Sequence, residues 1–283
     1  MRLLPGAIGV FDSGVGGLTV AAALRRRFAG ESILYVADQA HVPYGGRPLE
    51  EVAGFARAIS RFLVESGCRA VVMGCNISSA TALPDVALQM APLPVLGVIA
   101  AAARRAATFY PPRVGVLATE GTVATGAYGQ QVRDANPRAE VSEVACPAFV
   151  PLVESGRADS EEALERAIAY LRPLAERECS VVVLGCTHYP FLLPVLRRAA
   201  SDLFERMPVF LDPADEVAGA LEAVAPDLRR TGDAAPSLLL TTGDPERFVE
   251  QARSFWPSEK FAVAVARWTP DLRLEAAAAL APR

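Results

Sequence analysis

The sequence predicts an α/β fold made of two similar three-layer α/β domains related by pseudo-symmetry, with an active site in the cleft between them. Two observations carry this expectation. Val71-Val72-Met73-Gly74-Cys75-Asn76 returns 111 positions later as Val182-Val183-Leu184-Gly185-Cys186-Thr187. Ile8-Gly9-Val10-Phe11-Asp12-Ser13 is echoed, 106 positions on, by Val114-Gly115-Val116-Leu117-Ala118-Thr119. Signals recurring in the same order at nearly the same spacing describe a duplicated half-structure. Each Cys segment is a short apolar run closed by Gly, the pattern of a buried parallel strand. A Cys at such a strand's C-terminal end, before a helix, stands where open α/β sheets bind ligands.

The elements follow in order. Ala7–Phe11 reads as a strand that runs into Asp12-Ser13-Gly14-Val15-Gly16-Gly17, and Leu18–Leu24 has helical spacing. The glycines permit a tight turn. The same loop also fits a nest of backbone N–H groups for an anion, with Asp12 and Ser13 aimed at a ligand. It lacks the Lys-Ser/Thr of a phosphate loop and the third Gly of a dinucleotide fingerprint. Ser32–Val36 is a second strand, and His41–Pro48, with two Pro and two Gly, is a rigid loop. In it Tyr44 either donates its hydroxyl to a substrate or packs over the turn, and His41 reads as a loop residue. Leu49–Glu65 is an amphipathic helix. Asn76–Met90 is a helix expected to kink or restart at Pro84, and a strand at Pro94–Val98 and a helix at Ala100–Phe109 close the first pass.

The second pass begins at Val114, and Gly121–Thr125 leads its first helix. A strand lies near Glu140–Val144, a short helix over Phe149–Ser155 carries Glu154, and a long helix spans Ser160–Glu176. Ser160 is its N-cap and Glu161-Glu162 fill its first turn. After the second Cys strand come His188-Tyr189-Pro190 and a helix through Arg198. Strands at Pro208–Leu211, Ser237–Thr242 and Phe261–Val265, with helices at Ala214–Val224 and Pro245–Phe255, are expected to return and complete the first half. Trp268 and the alanine-rich tail give no signal.

Composition narrows the function. The chain has 283 residues, is 52% hydrophobic and carries a formal net charge of −4. That suffices for one large core or two small ones. Without a Lys/Arg block, no nucleic-acid surface is expected. No apolar run reaches the length of a membrane span, and the residues before Asp12 lack the apolar core of a secretory signal. A cytoplasmic protein is expected. The five cysteines are odd in number and dispersed, which suits free thiols in a reducing compartment. With two histidines and no paired Cys spacing, no metal site is expected.

Cys68, Cys146 and Cys179 read as small buried hydrophobes. Cys75 and Cys186 escape that reading because they are paired by context. A helix N-terminus favours thiolate over thiol. A thiolate on one face of a carbon and a thiol on the other can remove and return a proton with inversion. Backbone N–H groups and exclusion of water would stabilise the developing charge. Asp12 and His188 could each help one sulfur trade its proton.

Phe11-Asp12-Ser13-Gly14-Val15-Gly16-Gly17-Leu18-Thr19, Pro43-Tyr44-Gly45, Gly74-Cys75-Asn76, Pro151-Leu152-Val153-Glu154-Ser155-Gly156 and Gly185-Cys186-Thr187-His188-Tyr189-Pro190 together carry a resemblance. Over nearly its whole length the chain resembles the bacterial glutamate racemases of the aspartate/glutamate racemase superfamily. The resemblance implies a cofactor-independent, two-base interconversion of L- and D-glutamate that supplies D-glutamate for peptidoglycan. It implies that Cys75 deprotonates the D-isomer and Cys186 the L-isomer. Asp12 would assist near Cys75, and His188 and Glu154 near Cys186. Asp12, Ser13, Tyr44, Gly45, Asn76, Ile77, Thr187 and His188 would hold the amino acid, and Thr119 and Thr122 are weaker matches. The first domain would be discontinuous, residues 1–98 with 208–283, and the second would be 99–207. The expected assembly is a homodimer with glutamate as its small-molecule substrate and neither nucleic acid nor membrane as partner.

One position departs from the family. Members usually read Cys-Asn-Thr-Ala after the first Cys strand, and this chain reads Cys75-Asn76-Ile77-Ser78-Ser79. If the family uses the hydroxyl there, one hydrogen bond goes, about 0.5–1.5 kcal/mol; Ser78 could compensate. Two alternatives stand beside glutamate racemisation: a racemase of aspartate or another small amino acid, and a racemase-fold binding or regulatory protein, as in members said to act on DNA gyrase. One methylene of substrate is worth only about 1–3 kcal/mol of discrimination.

Overall fold

The computed structural model describes residues 3–228, 236–257 and 259–276. The chain gathers into two compact units. One is formed by the residues through Val98 and those from Val217 onward; the other is Ile99–Glu216.

In the first unit, β1 (Ile8–Asp12), α1 (Leu18–Arg27), β2 (Ile33–Ala37), α2 (Leu49–Glu65), β3 (Ala70–Met73), α3 (Asn76–Met90) and β4 (Val95–Gly97) alternate strand and helix. The chain passes through α4 (Val98–Ala106) into β5 (Arg113–Ala118), α5 (Glu120–Thr125), α6 (Ala127–Ala135), β6 (Glu140–Ala145), α7 (Phe149–Glu154), α8 (Glu161–Glu176), β7 (Val181–Gly185), α9 (Leu193–Leu203) and β8 (Val209–Leu211). It returns through α10 (Pro213–Val224) to β9 (Ser237–Thr241), α11 (Pro245–Phe255), β10 (Phe261–Trp268) and β11 (Leu274–Ala276).

Among the described residues there is a seven-stranded sheet, β11-β10-β9-β2-β1-β3-β4, and a four-stranded sheet, β6-β5-β7-β8. All neighbouring strands are parallel except β10 and β11. The repeat is therefore visible as topology: β2-β1-β3-β4 and β6-β5-β7-β8 have the same order. It is visible as register too. Ile8 faces Ala70, and their counterparts 106 and 111 positions later, Val114 and Val181, face each other. β1, β2, β3 and β7 are buried along their whole length, as strands covered on both faces must be.

Helix α2 illustrates how sequence becomes packing. Val52, Phe55, Ala56, Ile59, Phe62 and Leu63 recur at three- and four-residue intervals and, with Ala53 and Ser60, are the residues it buries. Ala56, Ile59, Phe62 and Leu63 join Phe11, Val36, Val71 and Met73 in one core cluster. In α8, Ser160 caps the N-terminus by accepting a hydrogen bond from the Ala163 amide at 3.1 Å.

Several expectations change. Pro208–Leu211 does not return to the first half: β8 pairs with β7 in the four-stranded sheet, Val181 facing Val209. The open edge of β7 is the nearer partner for a strand that follows α9 directly. The chain re-enters the first unit only within α10. Helix α3 does not restart at Pro84 but continues through it; the lost donor is offset by packing of Ile77, Ala82 and Val86, all buried. A third C-terminal strand, β11, adds antiparallel to β10. The alanine-rich tail beyond residue 276 lies outside the described residues.

Ile59 has no exposed surface. Ile59→Ala should lower the unfolding free energy by about 2–5 kcal/mol, read from the denaturation midpoint with the slope unchanged.

Candidate active site

In the first unit, β1 ends on Asp12, only 1% exposed. The chain then folds back on it: the Gly14 amide donates to Asp12 Oδ1 at 2.9 Å, and the Tyr35 hydroxyl donates to the Gly14 carbonyl at 2.6 Å. Helix α1 starts hard against the carboxylate. A Cβ at Gly17 would lie 2.4 Å from Asp12 Cβ, so the turn needs glycine there. The turn thus holds its own carboxylate with one of its amides, where a nest for an outside anion was one of the two readings. Ser13 follows Asp12 in this turn and is partly exposed.

Strand β3 delivers Cys75 beside it. The Gly74 amide donates to the Phe11 carbonyl at 2.8 Å, and a Cβ on Gly74 would stand 3.1 Å from that oxygen. Cys75, 6% exposed, is the N-cap of α3 in an extended conformation. Its carbonyl accepts from the Ser79 amide and hydroxyl, each at 2.9 Å. The sulfur therefore belongs to the residue at the positive end of a fifteen-residue helix. Cys75 and Ile77 share an apolar cluster with Tyr44, Val52 and Phe55. Asn76 is buried, and so is Ser78, whose hydroxyl has no hydrogen-bond partner among the described residues.

Tyr44 and Gly45 lie in a 3-10 turn, Tyr44–Gly46. The Tyr44 hydroxyl donates to Asp38 Oδ2 at 2.6 Å. Its oxygen is therefore left to accept, not donate, toward anything else that approaches. Asp38 is the residue that sequence reasoning missed. It is wholly buried, and it also accepts from the Thr242 hydroxyl at 2.8 Å and the Trp268 indole N–H at 2.7 Å. His41 Nδ1 lies 2.8 Å from its Oδ2, and the His41 ring stacks on Phe55 with centroids 3.9 Å apart. Trp268, silent in the sequence, ties β10 to the Tyr44 loop. A usable signal existed: Asp38 follows a buried strand as Asp12 ends one, and its amide donates to the Asp12 carbonyl at 3.0 Å. Burial first, and then the Asp12 and Cys75 charges, push the Tyr35 phenol well above its usual range. Tyr44 is pushed the same way by burial and by Asp38.

In the second unit, β7 ends on Gly185. A Cβ there would stand 2.8 Å from the Leu117 carbonyl, the contact Gly74 makes with Phe11. Cys186, 8% exposed, follows. No α-helix starts at this sulfur, contrary to expectation. Thr187 and His188 lead into a 3-10 turn, Tyr189–Leu192, before α9 begins at Leu193. A side chain takes the place of the helix end: Cys186 Sγ is 3.8 Å from His188 Nδ1, and His188 Nε2 is 3.3 Å from Glu154 Oε1. Cys186, His188 and Glu154 form a line from a buried thiol to a half-exposed carboxylate, the order in which a proton could be relayed. The Tyr189 amide donates to the Cys186 carbonyl at 3.0 Å, and its hydroxyl to the Cys146 carbonyl at 3.1 Å. Thr187 is nearly buried. Thr119 caps α5, with its Oγ1 3.0 Å from the Thr122 hydroxyl, so these two are engaged with each other.

The other three cysteines are buried as well. Burial pushes the Cys68 thiol up to about 12 and that of Cys179 to about 11, and drives Cys146 upward as well. Among the described residues no group of three or more His, Cys, Asp or Glu converges as a metal site would require. Nor is any described helix long and apolar enough to cross a membrane.

Comparison with known proteins shows what the chain as a whole is similar to. The model of the Asp/Glu/hydantoin racemase family matches residues 16–221. The glutamate racemase of Gloeobacter violaceus is 44% identical over 245 residues, covering 87% of this chain and 90% of its own. The crystal structure of glutamate racemase from Thermus thermophilus, in complex with β-chloro-D-alanine, superposes with a TM-score of 0.81 at 40% identity, covering 94% of this chain and 98% of that one. That of the Francisella tularensis enzyme in complex with D-glutamate gives 0.84 at 28% identity, covering 95% and 98%.

At pH 8 iodoacetamide should label the folded protein at Cys75 and Cys186, while Cys68, Cys146 and Cys179 react only after unfolding. A raised thiol pKa keeps the unreactive protonated form. Peptide mapping by mass spectrometry reads the five sites separately; labelling of Cys68 or Cys146 at the rate of Cys75 would contradict the assignment.

Proposed function

The chain belongs to the Asp/Glu/hydantoin racemase family, and from that premise we propose that it interconverts L- and D-glutamate with two cysteines and no cofactor. The reading rests above all on one observation: both repeats place Gly-Cys at the end of the equivalent strand, Cys75 at the N-terminus of a long helix and Cys186 within 3.8 Å of His188.

The α-carbon of an amino acid is a weak acid, so the site must supply a base, hold the carboxylate and ammonium, and keep water away. In the direction from D to L, the Cys75 thiolate takes the α-proton: the C–H bond breaks, an S–H bond forms, and the electron pair stays on carbon. The Cys186 thiol then gives its proton to the opposite face of that carbon and is left as thiolate. The reverse direction exchanges the roles. Asp12 resets Cys75, and His188 backed by Glu154 resets Cys186. The α3 N-terminus at Cys75 favours the thiolate there, and the short Cys186–His188–Glu154 line supports the same exchange on the other side. Ser13, Tyr44, Gly45, Asn76, Ile77 and Thr187 hold the amino acid. Ile77, buried beside Cys75, contributes apolar cover and its backbone in place of a hydroxyl.

The D-glutamate formed serves peptidoglycan synthesis in the cytoplasm. The working form is a homodimer, the arrangement expected from the family resemblance. Glutamate is favoured over aspartate because the relatives matched over most of their length are glutamate racemases.

The test is racemisation followed by circular dichroism, with L-glutamate and L-aspartate in parallel and without pyridoxal phosphate, metal or nucleotide. Glutamate should racemise and aspartate should lag by at least about tenfold in kcat/KM. Cys75→Ala and Cys186→Ala should each lose more than about a thousandfold in kcat; near-normal turnover in either removes the two-thiol mechanism.

A further inference from the structure

The reaction as described gives no role to Tyr35, a buried group of the first unit. Tyr35 lies on β2, where it faces Val10 of β1 in register. Its hydroxyl donates to the Gly14 carbonyl at 2.6 Å, and the Gly14 amide donates to Asp12 Oδ1 at 2.9 Å. Gly14 is thus held from both sides, by a phenol through its carbonyl and by the carboxylate through its amide. Helix α1 closes the remaining side: a Cβ on Gly17 would meet Asp12 Cβ at 2.4 Å and the Tyr35 hydroxyl at 2.9 Å. Tyr35 has no exposed surface, so water does not compete for this hydrogen bond. Its raised pKa keeps the phenol protonated, and therefore a donor, beside the charges of Asp12 and Cys75. A side chain that only filled the core here could be phenylalanine.

We propose that Tyr35 is a positioning residue for Asp12: its hydroxyl fixes Gly14, and Gly14 fixes the carboxylate that exchanges a proton with Cys75. Such support matters because a catalytic group displaced by a fraction of an ångström loses rate without losing substrate affinity. The inference rests on the reading of Asp12 given above.

The experiment is a double-mutant cycle on the full chain with Tyr35→Phe, Asp12→Asn and the pair, each assayed with both enantiomers of glutamate. Tyr35→Phe should lower kcat by roughly five- to fiftyfold with KM changed less than about twofold. Added to Asp12→Asn, it should cost less than about twofold more, because the group it positions has gone. If Tyr35→Phe leaves kcat unchanged, or costs the same factor in both backgrounds, the inference is overturned and the hydroxyl serves stability alone. An Asp12→Asn enzyme with unchanged kcat overturns the reading of Asp12 and this inference with it. A slow Asp12→Asn beside a normal Tyr35→Phe overturns this inference only. If the phenylalanine variant does not fold, Tyr35→4-methylphenylalanine, which keeps the volume at that place and removes the donor, is carried through the same cycle under the same criteria.

Discussion

A carbonyl oxygen of the first strand of each repeat backs each of the two cysteines, and it crowds the place a side chain would take on the residue before them. Gly74 sits against the Phe11 carbonyl and Gly185 against that of Leu117; a Cβ would come within 3.1 Å and 2.8 Å. These oxygens are 106 residues apart and the glycines 111 apart, so the contact is the same one in both repeats. The close approach sets where each Cys strand ends and therefore where each sulfur stands relative to β1 or β5. Asp12 on one side and the Thr119 cap on the other follow from it, because they leave those same first strands.

From this shared frame the two halves diverge in what surrounds the sulfur. Cys75 opens a long helix and lies beside a carboxylate whose turn is clamped by Gly14, Gly17 and Tyr35. Cys186 opens only a 3-10 turn, and an imidazole backed by Glu154 stands in for the helix end. On the proposed reading, a dipole with a carboxylate and an imidazole with a carboxylate are different answers to one requirement, a sulfur that must both take and give a proton. Cys68 and Cys179 show what burial does without such neighbours: burial alone pushes Cys68 up to about 12, and burial outweighs two nearby arginines in raising Cys179 to about 11.

Much of this was legible in the sequence because it is written locally. The repeat signals at Ile8 and Val114, and at Val71 and Val182, reappear as a common strand order and register. Helix α2 begins and ends where its apolar spacing does, and Ser160 caps α8. What was not legible depends on contacts between distant segments. A three-residue strand such as β8 carries no period of its own, and only the open edge of β7 decides its sheet. Asp38 and Trp268 are 230 positions apart, and nothing near either announces that one accepts the other's N–H. The turn after Cys186 reads as a helix start until Tyr189 is seen anchoring to Cys146. The pairing of His188 with Glu154 came from family resemblance, since spacing alone does not join residues on α7 and after β7.

The central claim is chemical: two different sulfurs, one from each repeat, handle the α-proton of one substrate. Conversion of L-glutamate in deuterium oxide, sampled in the first few per cent of reaction, tests it directly. Two bases predict D-glutamate carrying solvent deuterium at Cα while the remaining L-glutamate stays protiated. Equal deuterium in both enantiomers, or product that keeps the substrate's own proton, would mean a single group working both faces and would contradict the account.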